Sequence, residues 1–208
     1  MRRRLTLATI IAVVALTLTA CAYKGLTMAS QSAMTLHGEG ALTEPSATSI
    51  ADTYDPALAP VGSRLKVVFN PSDETTNAEL TVTGLVPNRG YAVHAHTNAC
   101  GATPPVAGPH YQNTVDPAAT PQTPSTNPQY ANPRNEVWLD VRTDSTGSGT
   151  SRTTVPFVFT DRGPGSIVVH EAMQTATEPG QAGGAGARIA CLTLSAVQPR
   201  GVAPRGSR

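Results

Sequence analysis

In Gly90-Tyr91-Ala92-Val93-His94-Ala95-His96 the side chains from Tyr91 onward fall alternately on two faces. Tyr91, Val93 and Ala95 share one, and Ala92, His94 and His96 the other. A period of two is the mark of a β-strand, and it recurs on both sides of this stretch. Ala78 to Leu85 sets Leu80 and Val82 against Glu79, Thr81 and Thr83, and Leu65 to Phe69 runs into a turn cluster, Asn70-Pro71-Ser72-Asp73. Further strands are expected at Val137–Thr143, Thr153–Phe159, Ser166–His170 and Ile189–Leu194, with Asp144-Ser145-Thr146-Gly147 closing a hairpin. No stretch of helical period and useful length follows the N-terminal apolar run. The expectation is an all-β protein of seven or eight short strands, a sandwich or barrel.

Composition points the same way. The chain has 208 residues, 39% apolar and only 14% charged, with 18 Gly and 18 Pro. That mixture excludes a coiled coil, a helical bundle and a highly charged disordered chain. Aromatic residues are few (Tyr 5, Phe 3, Trp 1), so Val, Leu, Ile and Ala must fill most of the core. The formal charge of +1 includes Arg2, Arg3 and Arg4; without them 12 basic residues face 14 acidic ones, which leaves no polybasic surface for nucleic acid. Two stretches interrupt the strands: residues 101–137, with eight of the 18 prolines, and Glu178 to Arg188, with Pro179-Gly180 and Gly183-Gly184-Ala185-Gly186. Loops of that length in a compact domain have a job or are disordered.

The N-terminus reads as an address. Arg2-Arg3-Arg4 precede an apolar run of 14 residues, Leu5 to Leu18, short for a membrane span and suited to a signal peptide over residues 1–20. Leu18-Thr19-Ala20-Cys21 resembles the bacterial lipobox, whose Cys is lipidated and becomes the first mature residue. The alternative is a plain signal peptide with an incidental Cys, or an uncleaved anchor. The lipobox reading puts the mature protein outside the cytoplasm, held to the cell membrane only through lipid on Cys21. Residues 21–60, rich in Ser, Thr, Ala and Pro, are then a flexible tether containing His37, residues 61–197 the folded domain, and residues 198–208 a disordered tail. Cys100 and Cys191 remain as an even pair, either bridged, as the compartment favours, or two free buried thiols.

Four of the five histidines lie in or beside the strands. His94 and His96, one residue apart on a strand, project from one face and can offer two nitrogens to one ion. His110 follows Gly108-Pro109, and His170 ends Ser166-Ile167-Val168-Val169. An H-x-H pair alone is more often a pair of half-exposed polar positions than a metal site. Four imidazoles drawn from three segments suit Cu(II) or Zn(II), with copper preferred by intrinsic affinity.

Taken together these segments resemble the copper/zinc superoxide dismutases, in particular extracytoplasmic bacterial members. Residues 60–195 carry the likeness, through Gly90 to His96, Ala107-Gly108-Pro109-His110-Tyr111, Gly165-Ser166-Ile167-Val168-Val169-His170-Glu171 and Gly184-Ala185-Gly186-Ala187-Arg188-Ile189-Ala190-Cys191, in family order and with similar spacing. The resemblance implies an eight-stranded Greek-key β-barrel or sandwich, immunoglobulin-like, with long irregular loops. It implies that His94, His96 and His170 are copper ligands and that His110 is the imidazole bridging copper to zinc. It implies a Cys100–Cys191 disulfide, and a role for Arg188 in attracting and orienting superoxide.

The zinc half of the family's pattern is missing. Between His110 and His170 there is no histidine. Alignment on Asp140-Val141-Arg142-Thr143-Asp144 puts Val137 at the family's zinc Asp, Arg134 at a zinc His, and Gln174 at the Asp that links the two sites. The expectation is therefore a copper-only, four-histidine site with no zinc. His110 then needs another partner to fix its tautomer, with Glu136 the first choice among Glu136, Asp140 and Asp116. The expected activity is dismutation of superoxide to dioxygen and hydrogen peroxide. Two alternatives stand beside it: a copper-binding lipoprotein of the same fold that buffers or delivers the metal without turnover, and a sandwich domain serving protein contacts.

Overall fold

The computed structural model describes residues 32–197. The signal segment, Cys21 and the tail over 198–208 lie outside the described residues. The strands in chain order are β1 (Leu36–Ala41), β2 (Ala51–Thr53), β3 (Arg64–Ser72), β4 (Thr75–Thr83), β5 (Gly90–Tyr91) and β6 (Val93–His96). They continue as β7 (Val141–Arg142), β8 (Gly149–Val155), β9 (Ser166–His170), β10 (Arg188–Thr193) and β11 (Ser195–Ala196). A single 3-10 turn, Pro104–Ala107, is the helical element among the described residues.

Every strand pairing is antiparallel. One sheet runs β11-β1-β3-β4-β8, a second β2-β10-β9-β6, and β5 pairs with β7. The two larger sheets bury their alternate residues in one apolar core. Leu65, Val67, Phe69, Leu80 and Val82 come from the first, and Val93, Ala95, Ile167, Val169 and Leu192 from the second. This is an all-β sandwich. Phe69, Phe157, Phe159 and Tyr111 close one part of the core with edge-to-face and tilted rings 5.2–6.5 Å apart.

Of the differences from the sequence expectations, three bear on the layout of the domain. The first is the tether: the domain begins well before residue 61, because β1 pairs with β3 from Leu36↔Phe69 to Ala41↔Arg64, and β2 pairs with β10. The inward positions of β1 are Leu36, Gly38 and Gly40. A Cβ on Gly38 would stand 2.8 Å from Thr193 O, and one on Gly40 2.8 Å from Ala51 Cβ. Two of three core-facing residues are thus glycines that let β1 lie close on the second sheet, and they carry no hydrophobic signal. His37 points outward and is exposed. The second difference is the strand count, eleven among the described residues, because short pieces such as β2, β5, β7 and β11 add to the longer strands. The third is the turn at Asp144–Gly147. Its backbone bonds form (Asp144 N to Ser148 O, 2.8 Å), but β7 pairs with β5 and β8 with β4, so the turn carries the chain between sheets and closes no hairpin.

Candidate metal centre

β6 presents His94 and His96 from the face that the core does not use, since Val93 and Ala95 turn into the apolar cluster. The neighbouring strand β9 ends at His170. On the other side of β6, two isolated bridges dock the flanking segments, His96↔His110 and His94↔Trp138, and a third, Gln112↔Glu136, joins those segments to each other. The four imidazoles meet there, each offering one nitrogen, and those nitrogens all lie within 4.8 Å of one another. His94 Nδ1 and His110 Nε2 are 3.0 Å apart, and His96 Nε2 and His170 Nε2 3.2 Å.

What stands behind each ring fixes which nitrogen faces inward. His96 Nδ1 donates to the Gly108 carbonyl at 2.9 Å, and His170 Nδ1 to the Gly186 carbonyl at 3.3 Å. Gly108 is required for the first of these bonds: its φ is 72°, and a Cβ there would lie 2.3 Å from Thr97 Oγ1. His110 Nδ1 donates to Glu136 Oε2 at 3.0 Å. His94 Nε2 donates to Thr175 Oγ1 at 2.6 Å, and that hydroxyl donates to Asp140 Oδ1 at 2.7 Å. Carbonyl and carboxylate oxygens only accept, and the Thr175 hydroxyl, its proton given to Asp140, accepts as well, so each outer nitrogen carries the proton and each inner nitrogen is left with a bare lone pair. Four lone pairs converging on one point repel one another unless a cation lies between them. The donor set is the one an imidazole-binding transition metal uses, and the outer partners are of the kind that orient metal-bound histidines.

Burial reinforces this. His94 and His96 are fully buried and His170 nearly so. Loss of water around them, followed by the neighbouring imidazoles, holds His94 and His96 far below the ordinary histidine range. Burial and then the charge of His110 take His170 to about 3. These three histidines therefore stay neutral, as metal coordination would need. His110 is the one of the four open to the outside, its side chain 19% exposed.

Glu136 is buried, and three donors meet it: His110 Nδ1, Trp138 Nε1 at 2.8 Å on the same oxygen, and Gln112 Nε2 at 2.8 Å on the other. Of the three carboxylates considered for His110, Glu136 is the one in contact. Asp140 serves His94 through Thr175, and Asp116 accepts from Ser125 Oγ at 2.5 Å. Val137 lies in the apolar core, and Arg134 and Gln174 are exposed. The residue after Gln174, Thr175, turns inward.

Cys100 and Cys191 form a disulfide, which ties the loop after β6 to β10. That loop also carries Pro104, whose carbonyl accepts from Arg188 Nη1 at 2.8 Å. Arg188 is half-buried; burial lowers its pKa, and its charge contributes to keeping His96 and His170 neutral. The supporting residues Thr175, Trp138 and Gln112 are absent from the sequence reading, and no local motif marks them. Thr175 sits in a loop, 81 residues from the ring it orients.

Among the described residues no helix is long and apolar enough to cross a membrane. No protein-family model matches the chain, and no curated protein matches it.

Proposed function

We propose that the four-histidine centre binds a single copper ion and dismutes superoxide, as a copper-only relative of the copper/zinc superoxide dismutases. The observation that carries the metal half of this reading is the set of hydrogen-bond acceptors behind the four rings, two carbonyls, a carboxylate and a hydroxyl whose own proton goes to Asp140, which leaves four lone pairs facing one point. Copper rather than zinc is favoured by the affinity order for nitrogen ligands and by the resemblance of the segments. In the reaction two superoxide anions and two protons give dioxygen and hydrogen peroxide, one superoxide losing an electron and the other gaining it. Bound copper supplies the one-electron couple.

The chain's own residues supply the rest. Arg188 brings positive charge to the rim, attracts the anion and orients it, an effect that added salt weakens. His110, the exposed member of the four, would be free to take a proton at Nε2 and pass it on only while that nitrogen has let go of the metal. Glu136 then faces an imidazolium instead of an imidazole and stabilises it. Glu136 thereby fills, on the outer nitrogen of His110, the place that zinc holds in the family.

A copper buffer or carrier would use the same four histidines. Arg188 favours the enzyme, because storing a cation calls for no anion guide at its rim. The protein acts outside the cytoplasm, tethered through Cys21, and the disulfide supports that compartment.

The test is superoxide decay on copper-reconstituted mature protein. The expected result is turnover that falls at least tenfold in Arg188→Ala and in His110→Ala. Copper-loaded protein without turnover would leave the carrier; turnover indifferent to both substitutions would refute the roles given to these residues.

A further inference from the structure

The two long loops are not explained by superoxide. A diatomic anion is comparable to a water molecule, whose share of liquid volume is roughly 30 Å³, whereas the loops enclose a cavity of about 500 Å³ next to the histidines. That is the size of a site for a small organic ligand. The proline-rich loop arches over one side and is internally pinned: Ser125 Oγ donates to Asp116, and Thr120 and Thr123 exchange backbone bonds of 3.0 and 3.1 Å. Gly180 N donates to Thr126 O at 3.2 Å and stitches the arch to the glycine-rich loop opposite.

The lining is mainly apolar. Val115, Ala119, Pro121 and Pro124 of the arch and Ala182 and Ala185 of the glycine-rich loop share it with His110, His170 and Arg188. Val115 is 60% exposed and its side chain is open to a ligand. The charged groups lining the cavity are Arg188, Arg162 and Glu136. Glu136 is engaged by His110, Trp138 and Gln112. Arg162 is engaged by the Gln112 and Asn113 carbonyls and lies over the Tyr111 ring. Arg188 makes one bond, to Pro104 O, and keeps N–H groups free of protein partners among the described residues. The cavity thus offers one available cation among mainly apolar neighbours.

We propose that this chamber binds a small organic anion with a flat apolar body, its carboxylate on Arg188 and its body between the prolines and Ala182 and Ala185. The inference rests on the copper-site reading only for the additional positive charge that an ion held by His110 and His170, which share the lining, would bring. Such a ligand blocks the approach of superoxide and so makes turnover subject to a metabolite-sized anion.

The experiment uses calorimetric titration of the mature protein, metal-free and copper-loaded, with benzoate, acetate and benzyl alcohol, alongside superoxide decay in the same samples. Benzoate is expected to bind at least tenfold more tightly than acetate, which lacks the body, and than benzyl alcohol, which lacks the charge. Arg188→Gln should bring benzoate down to the level of benzyl alcohol. The double substitution Val115→Ser with Pro121→Ser, both at exposed positions, should weaken benzoate at least fivefold and leave acetate unchanged. Benzoate binding no tighter than acetate, or binding indifferent to Arg188→Gln, overturns the proposal. Protein that turns over superoxide but fails these titrations defeats the chamber alone; protein that binds benzoate as described but lacks turnover defeats the dismutase reading and keeps the chamber.

Discussion

At His110 the backing group is a carboxylate with both oxygens occupied, and substitution there separates a structural from a chemical role. Glu136→Gln keeps the shape but replaces one acceptor oxygen with an NH2 group, which must face one of three donors: His110 Nδ1, Trp138 Nε1 or Gln112 Nε2. Turned toward His110, the NH2 group releases that ring's tautomer; turned toward Gln112, it breaks the bond that holds the side chain in place. We expect copper affinity, measured by competition with a chelator, to fall about 10- to 100-fold, the usual effect of losing a partner behind a ligand. Unchanged affinity would remove Glu136 from the account. The clustering of the four histidines was legible because an H-x-H pair on a strand fixes two directions at once and the resembling motifs named the others. Thr175 was not, since a threonine hydroxyl becomes a histidine partner only after the chain has folded back across 81 residues.

Among the elements, β1 carries the clearest lesson. Leu36-His37-Gly38-Glu39-Gly40 has the inside–outside alternation of a strand, but its inner positions after Leu36 are glycines, so a hydrophobic pattern cannot reveal it. Close approach of the sheets is the reason: Thr193 O leaves no room for a methyl group on Gly38. Gly38→Ala should therefore destabilise the domain by about 1–3 kcal/mol, the range for overpacking, read as a lowered urea midpoint. A neutral result would mean that β1 does not lie against β10 as described. β9, by contrast, runs over Ser166–His170 as read from the sequence, because a strand buried on both faces is a continuous apolar run bounded by turn residues. The segment from Val137 to Thr143 was read as one strand and yields only β7, because Trp138 bridges to β6 while Val141 and Arg142 pair with β5.

For the molecule as a whole, burying the histidine cluster has a consequence for pH. His94, His96 and His170 are held below their ordinary range when folded, His170 at about 3, whereas in the unfolded chain they titrate near 6.5. Above pH 6.5 both states carry them neutral and they contribute no pH dependence. Below it the unfolded state binds protons that the folded state refuses, so stability falls as pH drops toward 3, by up to about 1.4 kcal/mol per pH unit for each histidine. Metal-free protein should show a urea midpoint that decreases steadily from pH 7 to pH 5; a flat profile would contradict the burial of the cluster. The most direct measurement of the central claim is titration of the metal-free protein with Cu(II), following stoichiometry and affinity in the parent and in His110→Ala and His170→Ala. Convergence of the four imidazoles predicts one ion per chain in the parent and at least a hundredfold weaker binding in either variant. No retained copper, or binding that neither substitution changes, would contradict it.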